Sequence, residues 1–171
     1  MVKLKVALLA VTVLASGMNV CAQAETPEEW VTLGARVHGG FGSFIPVGIR
    51  IGLDALSRLN AQPRSVTVLY YSGSKAPCPC PADGIAIATM ASPGQGTLTV
   101  SPDKAPDGLM AVAIIRSKVT RAGVKYTIAD AWIEKLVEMN KTLDPIGRYQ
   151  AVMNAEDLFT VESLPAPQTP K

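Results

Sequence analysis

The sequence predicts an α+β domain in which a mixed or antiparallel sheet packs against helices. Segments with apolar residues at helical spacing are interspersed with short runs rich in β-branched and aromatic residues. The two kinds do not follow a strict strand-helix-strand alternation. One continuous apolar run, Gly108-Leu-Met-Ala-Val-Ala-Ile-Ile115, suits a strand buried inside a sheet.

In chain order, Thr26-Pro27-Glu28-Glu29 reads as a helix start. It has a capping residue, a proline at the first position and acids in the first turn. Trp30, Leu33, Ala35 and Val37 continue the helix until Gly39-Gly40. The next helix carries Val47, Ile51, Ala55 and Leu59 on one face, with Gly48 and Gly52 four apart. Mid-helix glycines destabilise, so two on one face predict that something packs very close there. Ser65 to Tyr71 reads as a strand that runs into a cysteine-bearing loop. Asp83 to Met90 reads as a helix opened near Pro81, Ser92 to Gly96 as a turn, and Thr97 to Val100 as a strand. After the apolar run, Gly123 to Ile128 is a further short strand. Ala129 to Lys141 is an amphipathic helix with Ala131, Ile133, Leu136, Val137 and Asn140 around its turns. Another helix starts at Asp144-Pro145, and Leu158 to Leu164 is the last strand. The expected organisation is a signal segment over 1–24, one domain over 25–163 and a disordered tail over 164–171.

The signal reading rests on Lys3 and Lys5 before the apolar stretch Val6 to Ala15, which is short for a membrane span. Ala22-Gln23-Ala24 then offers a small-x-small cleavage site. Met18-Asn19-Val20 lacks the small residues a lipid anchor on Cys21 would want. Losing Lys3 and Lys5 takes the 16 basic residues to 14, against 14 acidic, so the formal charge of +2 falls to zero. A neutral, mixed surface excludes the electrostatic footprint of a nucleic-acid or anionic-lipid binder. The expected location is the periplasm, with no membrane attachment after cleavage. Homodimerisation is left open.

With Cys21 gone, Cys78 and Cys80 are the thiol inventory, in Pro77-Cys78-Pro79-Cys80-Pro81-Ala82-Asp83. A disulfide between them closes a tiny ring, constrains the unfolded chain little and requires strained geometry. That spacing suits a redox element, or the resting form of a metal site, better than a staple. Kept reduced, the two thiolates chelate one soft or borderline cation, with Pro79 fixing the bite. His38, the single histidine, supplies a third ligand, and Asp83 or water a fourth. His38 precedes a stretch in which five of the six residues from Gly39 to Phe44 are glycine or phenylalanine, a backbone able to approach another group closely. A thiolate could also ligate haem iron, though no large apolar cleft is legible. One histidine and no glycine-flanked serine exclude a Ser-His-Asp hydrolase. Ser92-Pro-Gly-Gln-Gly96 lacks the lysine and length of a phosphate-cradling loop.

Two motifs resemble those of the E-subunit-like family of formylmethanofuran dehydrogenase. The first has the form His-Gly-His-x-Cys-Pro followed by Gly-x-Arg-x-Gly, and His38, Gly39, Gly48, Arg50 and Gly52 fall in register. The second reads Cys-x-x-Asp-x-Ile, then Thr-Gly-Cys-Thr-x-Gly-Lys-Gly-Asn. It is matched at Cys80, Asp83, Ile85, Thr89, Gly94 and Gly96. The departures are Gly40 for the second histidine, Gly42 and Ala91 for two cysteines, and Gln95 for the lysine. Cys78 is an addition to the pattern. The resemblance implies an α+β domain with a metal-associated pocket between the motifs, here rebuilt around His38, Cys78 and Cys80.

These readings give one leading expectation and two alternatives. The first is an exported protein binding zinc, copper or a metal-held small ligand through His38, Cys78, Cys80 and Asp83. The second is a thiol-dependent redox or small-molecule enzyme with Cys80 as nucleophile, against which stands a spacing unlike Cys-x-x-Cys. The third is a structural partner protein with a vestigial site.

Overall fold

The computed structural model describes residues 25–167; the expected signal segment, 1–24, and the last residues of the expected tail, 168–171, lie outside the described residues. Thr26 opens helix α1 (Pro27–His38) with a reciprocal cap. The Glu29 N–H donates to Thr26 Oγ1 at 3.3 Å, and the Thr26 N–H donates to Glu29 Oε2 at 2.7 Å. Gly39, at φ 87°, ends the helix in the left-handed conformation that glycine adopts without steric cost. Helix α2 (Phe44–Arg58) follows, then strand β1 (Val66–Ser72), helix α3 (Pro81–Thr89), a 3₁₀ turn (Pro93–Gln95) and strand β2 (Leu98–Val100). Strands β3 (Leu109–Ser117) and β4 (Gly123–Ala129) come next, then helices α4 (Trp132–Thr142) and α5 (Pro145–Met153), and strand β5 (Thr160–Leu164).

The α+β expectation holds, with five helices and one five-stranded sheet in the order β2-β1-β3-β4-β5 among the described residues. Only β1 and β2 are parallel; the other pairs are antiparallel. A parallel pair requires a crossover, and α3 with the 3₁₀ turn supplies it. Register aligns Val68 with Ile115 and Val124, and Tyr70 with Ala113 and Tyr126, so the inner face is continuous and buried. Two local differences from expectation have simple causes. Helix α4 begins at Trp132 rather than Ala129, because Ala129 pairs with Leu109 and prolongs β4. Val37, placed with the apolar residues of α1, is 56% exposed, since the helix buries Trp30 and Gly34 instead. Among the described residues no helix is long and apolar enough to cross a membrane.

Helices α2 and α3 meet backbone to backbone. A Cβ placed on Gly48 would fall on the Pro81 carbonyl oxygen and lie 2.7 Å from the Ile85 nitrogen. One on Gly84 would fall on the Ile45 carbonyl oxygen and lie 2.9 Å from the Gly48 Cα. One on Gly52 would lie 2.7 Å from the Ala88 Cβ. The close packing expected of Gly48 and Gly52 is therefore met, and Gly84 completes it from the opposite helix. Outside this seam, Asp54 ties α2 to the sheet: its Oδ2 accepts from the Tyr126 hydroxyl and from Arg58 Nε, both at 2.6 Å. Burial first, and the Asp54 carboxylate second, push the Tyr126 phenol well above its ordinary range, so it stays a donor.

Gly52→Leu should destabilise the domain by about 1–3 kcal/mol through overpacking. Gly48→Ala should cost at least as much, because the atom it strikes is a backbone carbonyl that cannot rotate away. Denaturant unfolding of both variants beside the parent tests this; parental stability in Gly48→Ala would contradict the seam.

Candidate functional site

The loop from Gly73 to Pro79 leaves the carboxyl end of β1 and delivers the chain to the first turn of α3. Its start is fixed by the Gly73 N–H, which donates to the Met110 carbonyl at 2.7 Å, and by Lys75, whose Nζ donates to Asp130 Oδ2 at 2.8 Å. Its end is fixed by the Ala82 N–H on the Pro79 carbonyl (2.9 Å) and the Asp83 N–H on the Cys80 carbonyl (3.1 Å). Pro81, at the first helical position, already has the backbone angle a helix needs. Cys80 is thereby set at the N-cap of α3.

Cys78 and Cys80 are joined in a disulfide with Cα atoms 5.2 Å apart, inside the usual range of about 4.4–6.8 Å. Cys80 is 8% exposed and packs into the core. Cys78 is half-buried, between the exposed Pro77 and Pro79.

His38, the last residue of α1, meets Asp83 in the first turn of α3, with Nδ1 2.7 Å from Oδ2. A carboxylate only accepts, so in the neutral ring the proton belongs on Nδ1 and Nε2 is left with a lone pair. Both side chains are partly exposed. Ion pairs so placed contribute roughly 0–1 kcal/mol, so the contact orients more than it stabilises. The structure thus brings His38 to Asp83 and Cys78 to Cys80, with Cys80 and Asp83 sharing one helical turn. Among the described residues it gathers no group of three or more His, Cys, Asp or Glu side chains able to hold a metal ion. With the thiols tied together, the donor set does not fit a metal; two sulfur ligands become available only on reduction.

Beside Asp83 lies an apolar groove of about 420 Å³, lined by Val37, Ile87, Met90, Leu98 and Val100 among others. Val37, Met90 (46% exposed) and Val100 (44%) leave much of their surface open along it. Nothing in the Thr97 to Val100 run hinted at this groove, because it forms only when α1, α3 and β2 come together.

Several motif residues serve the frame instead. Arg50 Nη1 donates to the carbonyls of Val152 (2.8 Å) and Ala155 (2.6 Å), and its guanidinium lies 5.2 Å from the Phe159 ring centre. Thr89, fully buried, donates to the Ile85 carbonyl at 2.7 Å and accepts from the Ala91 N–H at 3.3 Å, closing the end of α3. Gly96 takes a φ of 63° in the turn before β2.

Asn140 and Arg148 were missing from the sequence-based site. Asn140 Oδ1 accepts from the Ser43 N–H at 2.7 Å, and Arg148 donates to the carbonyls of Phe41 (3.0 Å) and Asn140 (2.8 Å). Together they pin the turn that follows His38. Asn140 on the apolar side of an amphipathic helix was the available signal.

A family model described as FmdE, Molybdenum formylmethanofuran dehydrogenase operon, matches residues 37–159. The span includes His38, both cysteines and Asp83. No curated protein matches the chain.

Tryptic digestion without reductant should release the segment from Ala76 to Lys104 lighter by two hydrogens than after reduction, with neither cysteine alkylated. Full alkylation of unreduced protein would show that the disulfide is not the native state of the loop.

Proposed function

The chain belongs to the FmdE family, and from that premise we propose that it is an exported, periplasmic metal-binding protein, active as a metal ligand in its dithiol form. Reduction frees the thiolates of Cys78 and Cys80, which bite one cation across Pro79. His38 adds an imidazole nitrogen through Nε2. Asp83 takes a different part from the ligand role expected of it: it holds the ring of His38 and fixes which nitrogen is bare. Water completes the coordination.

The observation that carries this reading is the His38–Asp83 hydrogen bond at 2.7 Å, three residues along α3 from Cys80. A metal-binding histidine commonly donates its second nitrogen to a carboxylate in this way. Two thiolates and an imidazole match zinc or copper(I) better than haem. The groove beside Asp83 offers room for the apolar part of a small ligand held by the metal. The disulfide is the closed state of the same site.

Titration with zinc and with copper(I) tests the reading on reduced and oxidised protein. Reduced parent should bind one equivalent and oxidised parent none, while Cys78→Ser and His38→Ala should lose tight binding and keep the fold. Asp83→Asn should weaken binding by about 10–100-fold, the usual effect of removing a ligand-orienting partner. Failure of reduced parent to bind either metal would overturn the proposal.

A further inference from the structure

We infer that Cys78 and Cys80 form a working dithiol–disulfide couple that exchanges with a protein or peptide dithiol, with Cys78 as the attacked sulfur and Cys80 as the sulfur released. The bond is poorly placed to be a staple. It joins residues two apart in sequence, so it removes little freedom from the unfolded chain. The loop is already held at both ends, by Gly73 and Lys75 on one side and by the carbonyls of Pro79 and Cys80 on the other. None of those contacts uses a cysteine sulfur.

The two sulfurs are not equivalent. Cys78 is half-buried between exposed prolines, where an incoming thiolate can reach it. Cys80 is buried at the N-cap of α3, a helix of nine residues, whose positive end favours a thiolate. The Asp83 carboxylate in the same turn opposes that charge in part, less than a free acid would because it accepts the His38 N–H. A sulfur that leaves readily as a thiolate is the better leaving group. Access and leaving-group stability therefore select the same direction of attack.

In the forward step one thiolate of the partner dithiol bonds to Cys78 Sγ. The Sγ–Sγ bond breaks and its electron pair departs on Cys80 as a thiolate. The partner's second thiol gives up its proton and attacks its own sulfur in the mixed disulfide, expelling the Cys78 thiolate. Both protein thiolates then take protons from solvent or remain as ligands. The partner leaves as a disulfide, oxidised by two electrons, and the protein holds the dithiol.

This inference rests on the loop geometry and not on the metal reading; a chain that exchanges thiols but binds no metal would keep it and lose the other. The first test follows reduction of the oxidised full-length protein by dithiothreitol, natively and after unfolding in urea. The native loop should be reduced faster than the unfolded one, whereas a protected staple would be reduced more slowly when native, which would overturn the inference. The second test treats the single variants with oxidised glutathione and maps the adduct by mass. By microscopic reversibility, Cys78 in Cys80→Ser should form the mixed disulfide about tenfold or more faster than Cys80 in Cys78→Ser. Equal rates, or preference for Cys80, would overturn the assignment of the two sulfurs.

Discussion

The close contact of α2 with α3 is the constraint on which the rest of the molecule depends. Gly48 and Gly84 let two helix backbones touch where any side chain would strike a carbonyl. That contact fixes α3 in position and direction, and with it the first turn that carries Cys80 and Asp83. Because α3 is also the crossover between β1 and β2, the seam sets the only parallel pairing in the described sheet. The end of α1 is then brought to the same turn, and His38 can reach Asp83. Loss of the seam would therefore remove the site as well as the stability of the core.

The site itself is built from two pairs with different chemistry. Cys78 and Cys80 are joined in a bond that reduction can break, whereas His38 and Asp83 are joined by a hydrogen bond that does not involve sulfur. The proposed metal capture and the inferred thiol exchange would use the same two sulfurs and so would compete for one loop. The prolines hold the loop in one shape, so little ordering entropy stands against either event. Cys78, which the family pattern lacks, is what makes the pair possible. At the position of the pattern's first-motif thiol, Gly42 lies against Asn140.

Local signals in the sequence made the element order readable. The Thr26 to Glu29 box, the β-branched run of β1 and the Asp144-Pro145 start of α5 each determine their own conformation. What the sequence could not display is contact between distant residues. Arg50 binds carbonyls more than a hundred positions away, and Arg148 reaches back to Phe41 over a similar distance. Neither partner leaves a mark on local spacing. The motif matches also mixed two kinds of residue. Gly48, Gly52, Arg50 and Thr89 maintain the frame, while His38, Cys80 and Asp83 lie at the first turn of α3, and only the fold separates the two groups. The exposure of Val37 and the groove beside it arise from packing alone.

The proposed metal site depends on Asp83 holding His38 so that Nε2 stays bare, and the chain has one histidine to report on it. Ring-nitrogen NMR of labelled, folded protein at a pH where the imidazole is neutral reads the tautomer directly. The proton should lie on Nδ1 in the parent, and this preference should be lost in Asp83→Asn. A parent spectrum showing the proton on Nε2 would contradict the arrangement from which the proposed metal site is built.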